Sequence, residues 1–77
     1  MIKMYTSAVC PYCTAAKRLL TARGFEYEEI NIGNEGISRE KLVELTGGRT
    51  VPQIIINGKP IGGFDNLLVL DQKGELK

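Results

Sequence analysis

Seventy-seven residues, 43% hydrophobic and 25% charged, describe one small globular domain that buries only about 60% of the surface its unfolded chain exposes. Ten Lys+Arg against nine Asp+Glu leave a net charge of +1, with no basic run or aromatic-basic stripe, so the expectation is no nucleic-acid and no membrane partner. No stretch nears the roughly 20 apolar residues of a membrane span, and no apolar run of signal-peptide length follows Met1, so a cytoplasmic location is expected.

In chain order, Ile2–Tyr5 alternates polar and apolar and reads as a short strand. From Thr14 to Arg23 the residues Ala15, Ala16, Leu19 and Leu20 recur at helical spacing, with Gly24 as the C-terminal cap. Phe25–Glu28 alternates again and predicts a second strand running on to about Ile30 or Ile32. The adjacent Glu28 and Glu29 break its phase. Ser38 to Thr46 predicts a second helix, with Ser38 as N-cap, Ile37 and Leu42 at the spacing of a hydrophobic staple, and Gly47-Gly48 as the stop.

Pro52 to Ile56, with Ile54, Ile55 and Ile56 in a row, suits a strand buried on both faces. Asn57-Gly58 supplies the two positive-φ residues of a tight hairpin, and Pro60 marks the returning strand as an edge. Gly62-Gly63 ends it. Asp65 is expected to cap a last helix that carries Leu67, Leu68, Val69 and Leu70 and stops near Gly74. The order β-α-β-α-β-β-α implies an α/β fold and a single domain over residues 1–77. Its first two strands should be parallel with a right-handed crossover and its last two an antiparallel hairpin. Helices should cover both faces of a four-stranded mixed sheet.

Both cysteines lie in Val9-Cys10-Pro11-Tyr12-Cys13-Thr14, between the first strand and the first helix, where a sheet opens a ligand crevice. Cys10 precedes a helix whose first position is Pro11, a residue whose missing donor would go unused there. The amides of Tyr12 and Cys13 then point back toward the Cys10 sulfur. Orphan amides at a positive helix end favour thiolate over thiol, and such placement lowers a cysteine pKa from about 8.5 into the range of roughly 3.5–7.5. Cys10 therefore reads as the nucleophile and Cys13, one turn in, as the thiol that displaces what Cys10 captures. A zinc site in one chain is excluded because there is no histidine and no other cysteine. A cluster shared between two chains and an inert packed pair stay open on the spacing alone.

Arg49-Thr50-Val51-Pro52 precedes the buried strand. A cis Val51-Pro52 bond would turn the chain toward Cys10 and leave the Val51 backbone free to pair with an extended thiol peptide. Gly62-Gly63-Phe64-Asp65-Asn66 adds glycines that admit a ligand and a helix start whose amides suit a carboxylate.

Taken together, "CPYC", "RTVPQI" and "GGFDNL" resemble the dithiol glutaredoxin family over almost the whole chain. The resemblance implies a thioredoxin-like fold and a glutathione-dependent thiol–disulfide oxidoreductase, with glutathione as co-substrate and no tightly bound cofactor or metal. It makes Cys10 and Cys13 the catalytic pair. Tyr12 would flank the glutathione, Val51 would pair with its cysteinyl backbone, and Thr50 and Pro52 would shape the wall. Gly63, Phe64, Asp65 and Asn66 would hold the γ-glutamyl end, and Arg49 would attract the glycyl carboxylate.

Two positions depart from the family pattern: Ser7 stands where many members carry lysine, and Asn66 where the family usually has an acidic residue. The implied partners are glutathione, disulfide-containing or glutathionylated proteins, and ribonucleotide reductase, served by a monomer. Two other readings remain at this stage: a redoxin driven by thioredoxin reductase, and a dimer carrying an iron–sulfur cluster.

Overall fold

The computed structural model describes residues 1–76. Its elements are β1 (Ile2–Thr6), α1 (Pro11–Ala22), β2 (Glu28–Asn31), α2 (Arg39–Thr46), β3 (Gln53–Ile56), β4 (Lys59–Gly62) and α3 (Phe64–Gln72). The strands form one mixed sheet in the order β2-β1-β3-β4. β1 and β2 are parallel, as expected of two strands joined through a helix, and β1–β3 and β3–β4 are antiparallel. This is the α/β arrangement read from the sequence. Among the described residues no helix is long and apolar enough to cross a membrane.

The period of two in β1 divides the core. Ile2 and Met4 face α1 and α3, where Ala16, Leu20, Ile54 and Leu67 complete one buried cluster. Tyr5 faces α2, where it meets Ile32 and Leu42, with Ile30, Ile37, Val51 and Ile55 packed around them. Consecutive residues Ile54 and Ile55 of β3 go to opposite clusters, as a strand covered on both faces requires.

Helix ends follow local chemistry. The α1 helix closes with Arg23 as its cap and Gly24 at φ 79 beyond it. The Phe25 amide bonds to Leu20 O at 2.9 Å and the Gly24 amide to Thr21 O at 3.0 Å. That closure uses the Phe25 backbone, so β2 begins at Glu28 and not at Phe25. Phe25 and Tyr27 instead pack their rings against the first cluster. The broken phase at Glu28-Glu29 also has a cause. Glu29 Oε2 accepts from the buried Thr6 hydroxyl at 2.8 Å and pairs with Lys17 at 2.6 Å, so this exposed carboxylate turns toward α1. Together they hold Glu29 below the usual carboxylate range, the Lys17 contact most.

Ser38 caps α2 by accepting from the Lys41 amide at 3.0 Å, and Gly47 at φ 85 stops it. Asn57 (φ 51) and Gly58 (φ 82) form the hairpin turn. β4 is an edge strand, which accommodates Pro60.

Candidate active site

Register brings three distant segments to one end of the sheet. β1 ends at Thr6, and the chain reaches Cys10 three residues after Ser7. β3 runs the opposite way, and the pairing of Tyr5 with Gln53 sets Val51 and Pro52 beside the end of β1. The pairing of Ile54 with Gly62 then draws Gly63 and the start of α3 alongside.

Cys10 is the N-cap of α1, in extended conformation, and its Sγ accepts from the Cys13 amide at 3.1 Å. Of the two amides expected near this sulfur, the one from Cys13 makes the bond. Pro11 occupies the first helical turn. Cys10 is half-buried and Cys13 only 2% exposed, so an incoming group reaches the first sulfur before the second. The two are joined in a disulfide with Cα atoms 5.1 Å apart, a closure the helical turn between them permits.

The Val51-Pro52 peptide is cis. Val51 O lies 3.6 Å from Cys10 Sγ. A disulfide sulfur has no proton to donate, so this is a contact here and becomes a donor–acceptor pair only when Cys10 is a neutral thiol. The Val51 amide has no acceptor among the described residues, which leaves a backbone donor unspent close to the sulfur.

A cavity of about 470 Å³ opens beside this pair, within the size range of small-ligand sites. Thr50, Val51 and Pro52 form one part of its lining, and Gly63, Asp65 and Asn66 another. The rings of Tyr12 and Phe64 complete it with centroids 6.3 Å apart and planes inclined by 30°. Gly63 packs so closely on the cavity wall that a Cβ there would lie 3.3 Å from Pro52 O. Gly62 has φ 106, and a Cβ on it would meet Asn66 Oδ1 at 2.7 Å. These two glycines let the amino end of α3 close against the proline segment.

The cap of α3 differs from the expectation. Gly63, not Asp65, is the N-cap, and Asp65 stands exposed in the first turn. Asn66 Oδ1 reaches back to the Gly63 amide at 3.3 Å, which fixes the helix start two residues earlier. The first amides of α3 still lack helical partners and present a positive end to the cavity.

Eight of the nine residues expected to contact a ligand line this cavity: Tyr12, Thr50, Val51, Pro52, Gly63, Phe64, Asp65 and Asn66. Arg49 does not. Its guanidinium is exposed and 4.0 Å from the Glu40 carboxylate. Ser7 is half-buried and outside the lining.

Two supports escaped sequence reasoning. Arg39 Nη1 donates to Arg49 O at 3.0 Å and braces the loop that leads into the wall. Gln53 is 5% exposed and fills the space that Gly48 leaves, with its Nε2 3.5 Å from Thr50 Oγ1. A polar residue heading an isoleucine run was the available signal for the second. Among the described residues no three His, Cys, Asp or Glu side chains converge as metal ligands would.

Comparison with known proteins agrees with this geometry. The family model "Glutaredoxin" matches residues 2–61. Glutaredoxin 3 of Escherichia coli (strain K12) is 41% identical over 75 residues, covering 97% of this chain and 90% of that protein. A glutaredoxin of Neisseria meningitidis is 43% identical over 76 residues, covering 97% and 89%. The crystal structure of a buckwheat glutaredoxin–glutathione complex superposes with a TM-score of 0.87 at 32% identity, covering 97% of this chain and 71% of that one.

Proposed function

The chain belongs to the glutaredoxin family of thioredoxin-like thiol–disulfide oxidoreductases, and from that premise we propose that it reduces glutathione mixed disulfides and protein disulfides, with glutathione as electron donor. The observation that carries this reading is the Cys10 sulfur at the start of α1, bonded by the Cys13 amide and set against Val51, which lines the cavity. Glutathione in the buckwheat complex supports the choice of co-substrate.

In the mixed-disulfide cycle, Cys10 thiolate attacks the glutathione sulfur. The new S–S bond forms as the old one breaks, and the substrate thiolate leaves and takes a proton. A second glutathione thiolate then attacks the captured glutathione sulfur. Oxidised glutathione departs and the Cys10 thiolate returns. Cys13 takes no part. In the protein-disulfide cycle Cys10 is joined to one substrate sulfur until Cys13 attacks Cys10, releasing a fully reduced substrate and leaving the internal disulfide. Two glutathiones reduce that disulfide.

Within the cavity, Val51 pairs its free amide with the cysteinyl backbone of the glutathione, and Thr50 and Pro52 shape the wall. Tyr12 flanks the tripeptide. The α3 start at Gly63, Phe64, Asp65 and Asn66 receives the γ-glutamyl carboxylate, and Arg49 attracts the glycyl carboxylate from outside the lining. The chain acts as one domain over residues 1–77, as a cytoplasmic monomer, on glutathionylated and disulfide-bonded proteins, ribonucleotide reductase among them.

Paired variants test the assignment. Cys10→Ser abolishes turnover of a small glutathione mixed disulfide and of a protein disulfide. Cys13→Ser retains the first and loses the second. Equal loss of both activities in Cys13→Ser would overturn the division of roles.

A further inference from the structure

A second groove, of about 350 Å³, runs between the edge strand β4 and α3, lined by Lys59, Pro60, Ile61, Asn66, Val69 and Leu70. Three features make it more than a surface irregularity. It shares Asn66 with the cavity beside Cys10, so the two adjoin at that residue. It is apolar along its middle, and Val69 is 44% exposed although it sits in a helix whose Leu67 is fully buried. At its far end Lys59 is exposed and has no ion pair among the described residues. The four residues of β4 span about 10 Å, the length of three extended residues.

Glutathione ends at its γ-glutamyl group, which by the proposed function rests at the start of α3, so a tripeptide stops short of this groove. A polypeptide disulfide does not stop there. Laid along Val51 in the same direction, its residues before the reactive cysteine would extend toward Asn66, where the groove begins. We propose that the β4–α3 groove is a docking subsite for protein disulfide substrates. It takes an apolar side chain about three residues before the attacked cysteine, followed further out by an acidic side chain opposite Lys59. This rests on the proposed function and adds to it a subsite with a sequence preference: the groove serves polypeptide disulfides, whereas small glutathione mixed disulfides leave it empty.

The test compares two synthetic peptides, each closed by one disulfide. One carries leucine three residues before its N-terminal cysteine and glutamate two residues before that. The other carries serine and lysine at these positions. Both are assayed with the full chain and glutathione, beside a small glutathione mixed disulfide. Burying a leucine in the groove corresponds to a preference of about tenfold in kcat/KM for the first peptide. Val69→Lys, at an exposed position, reduces that preference to below threefold and leaves the small disulfide unchanged. Lys59→Glu moves the charge preference toward the lysine peptide.

A preference below twofold in the unmodified protein overturns the proposal. So does an equal loss on the small disulfide in Val69→Lys, because the groove would then act through the catalytic cavity. A concentration-dependent dimer in gel filtration that Val69→Lys dissociates assigns the groove to a second copy and also overturns it. Failure of the unmodified protein to turn over the small disulfide is a different result, and counts against the glutathione reading itself.

Discussion

Leu42→Ala tests whether one side chain holds the substrate wall in place. Leu42 is the single fully buried residue of α2 and the only contribution of that helix to the cluster with Tyr5 and Ile32. An eight-residue helix has little stability of its own, so α2 persists through this contact. Truncating a fully buried leucine costs about 2–5 kcal/mol. At roughly 0.05–0.15 kcal/mol per residue, a chain of this length has about 4–12 kcal/mol in total. A loss near 3 kcal/mol, at about 4–8 °C per kcal/mol, lowers Tm by about 12–24 °C.

The functional consequence is directional, because α2 leads through Gly47 into the loop carrying Thr50 and Val51. KM for a glutathione mixed disulfide should rise. The alkylation rate of reduced Cys10 should change much less than KM, since α1 is held by Ala16 and Leu20 in the other cluster and only the contact with Val51 O is disturbed. Circular dichroism on heating, steady-state kinetics below the transition and iodoacetamide kinetics measure the three quantities. A Tm drop below about 4 °C, or a fall in alkylation matching the rise in KM, would refute this division of labour between the two cores.

Other outcomes follow from single contacts. Gly62→Ala forces a positive-φ alanine and a Cβ against the Asn66 amide, so it should lower stability by roughly 1–2 kcal/mol and raise KM by displacing the α3 start; urea titration and kinetics check both. Reduced Cys10 should ionise below the value of about 8.5 for free cysteine, and ultraviolet thiolate absorbance against pH measures it. An ordinary value would contradict the role given to the helix end. Glu29 has its carboxylate held below the usual range by Lys17 and Thr6. Its stabilising contribution is therefore complete above the unfolded-state value near 4.5 and is lost as pH falls through the lower folded value. Glu29→Gln should lower stability at neutral pH, where that contribution is complete, and leave the most acid end little changed, so the profile flattens through the acid window, as thermal melts across pH would show.

Local chemistry alone determined much of this protein. The staple at Ile37 and Leu42, the positive-φ pair Asn57-Gly58 and the N-cap position of Cys10 each depend on neighbours a few residues away, so they are legible as a string. The approach of Cys10 to Val51 is of another kind. It follows from the register that pairs Tyr5 with Gln53, a contact spanning nearly fifty positions.

Two other differences arise from competing local patterns. Phe25 alternates like a strand residue, yet its amide closes α1. Asp65 has the chemistry of a cap, yet Gly63 is the N-cap and Asn66 returns to accept from its amide. More than one local pattern was open at each of these positions, and the bonds that decided between them reach three and five residues along the chain. The cavity and the groove beside it are likewise spaces left between elements. Spaces of that kind exist only after the sheet has brought the end of β1, the start of β3 and the end of β4 to one edge.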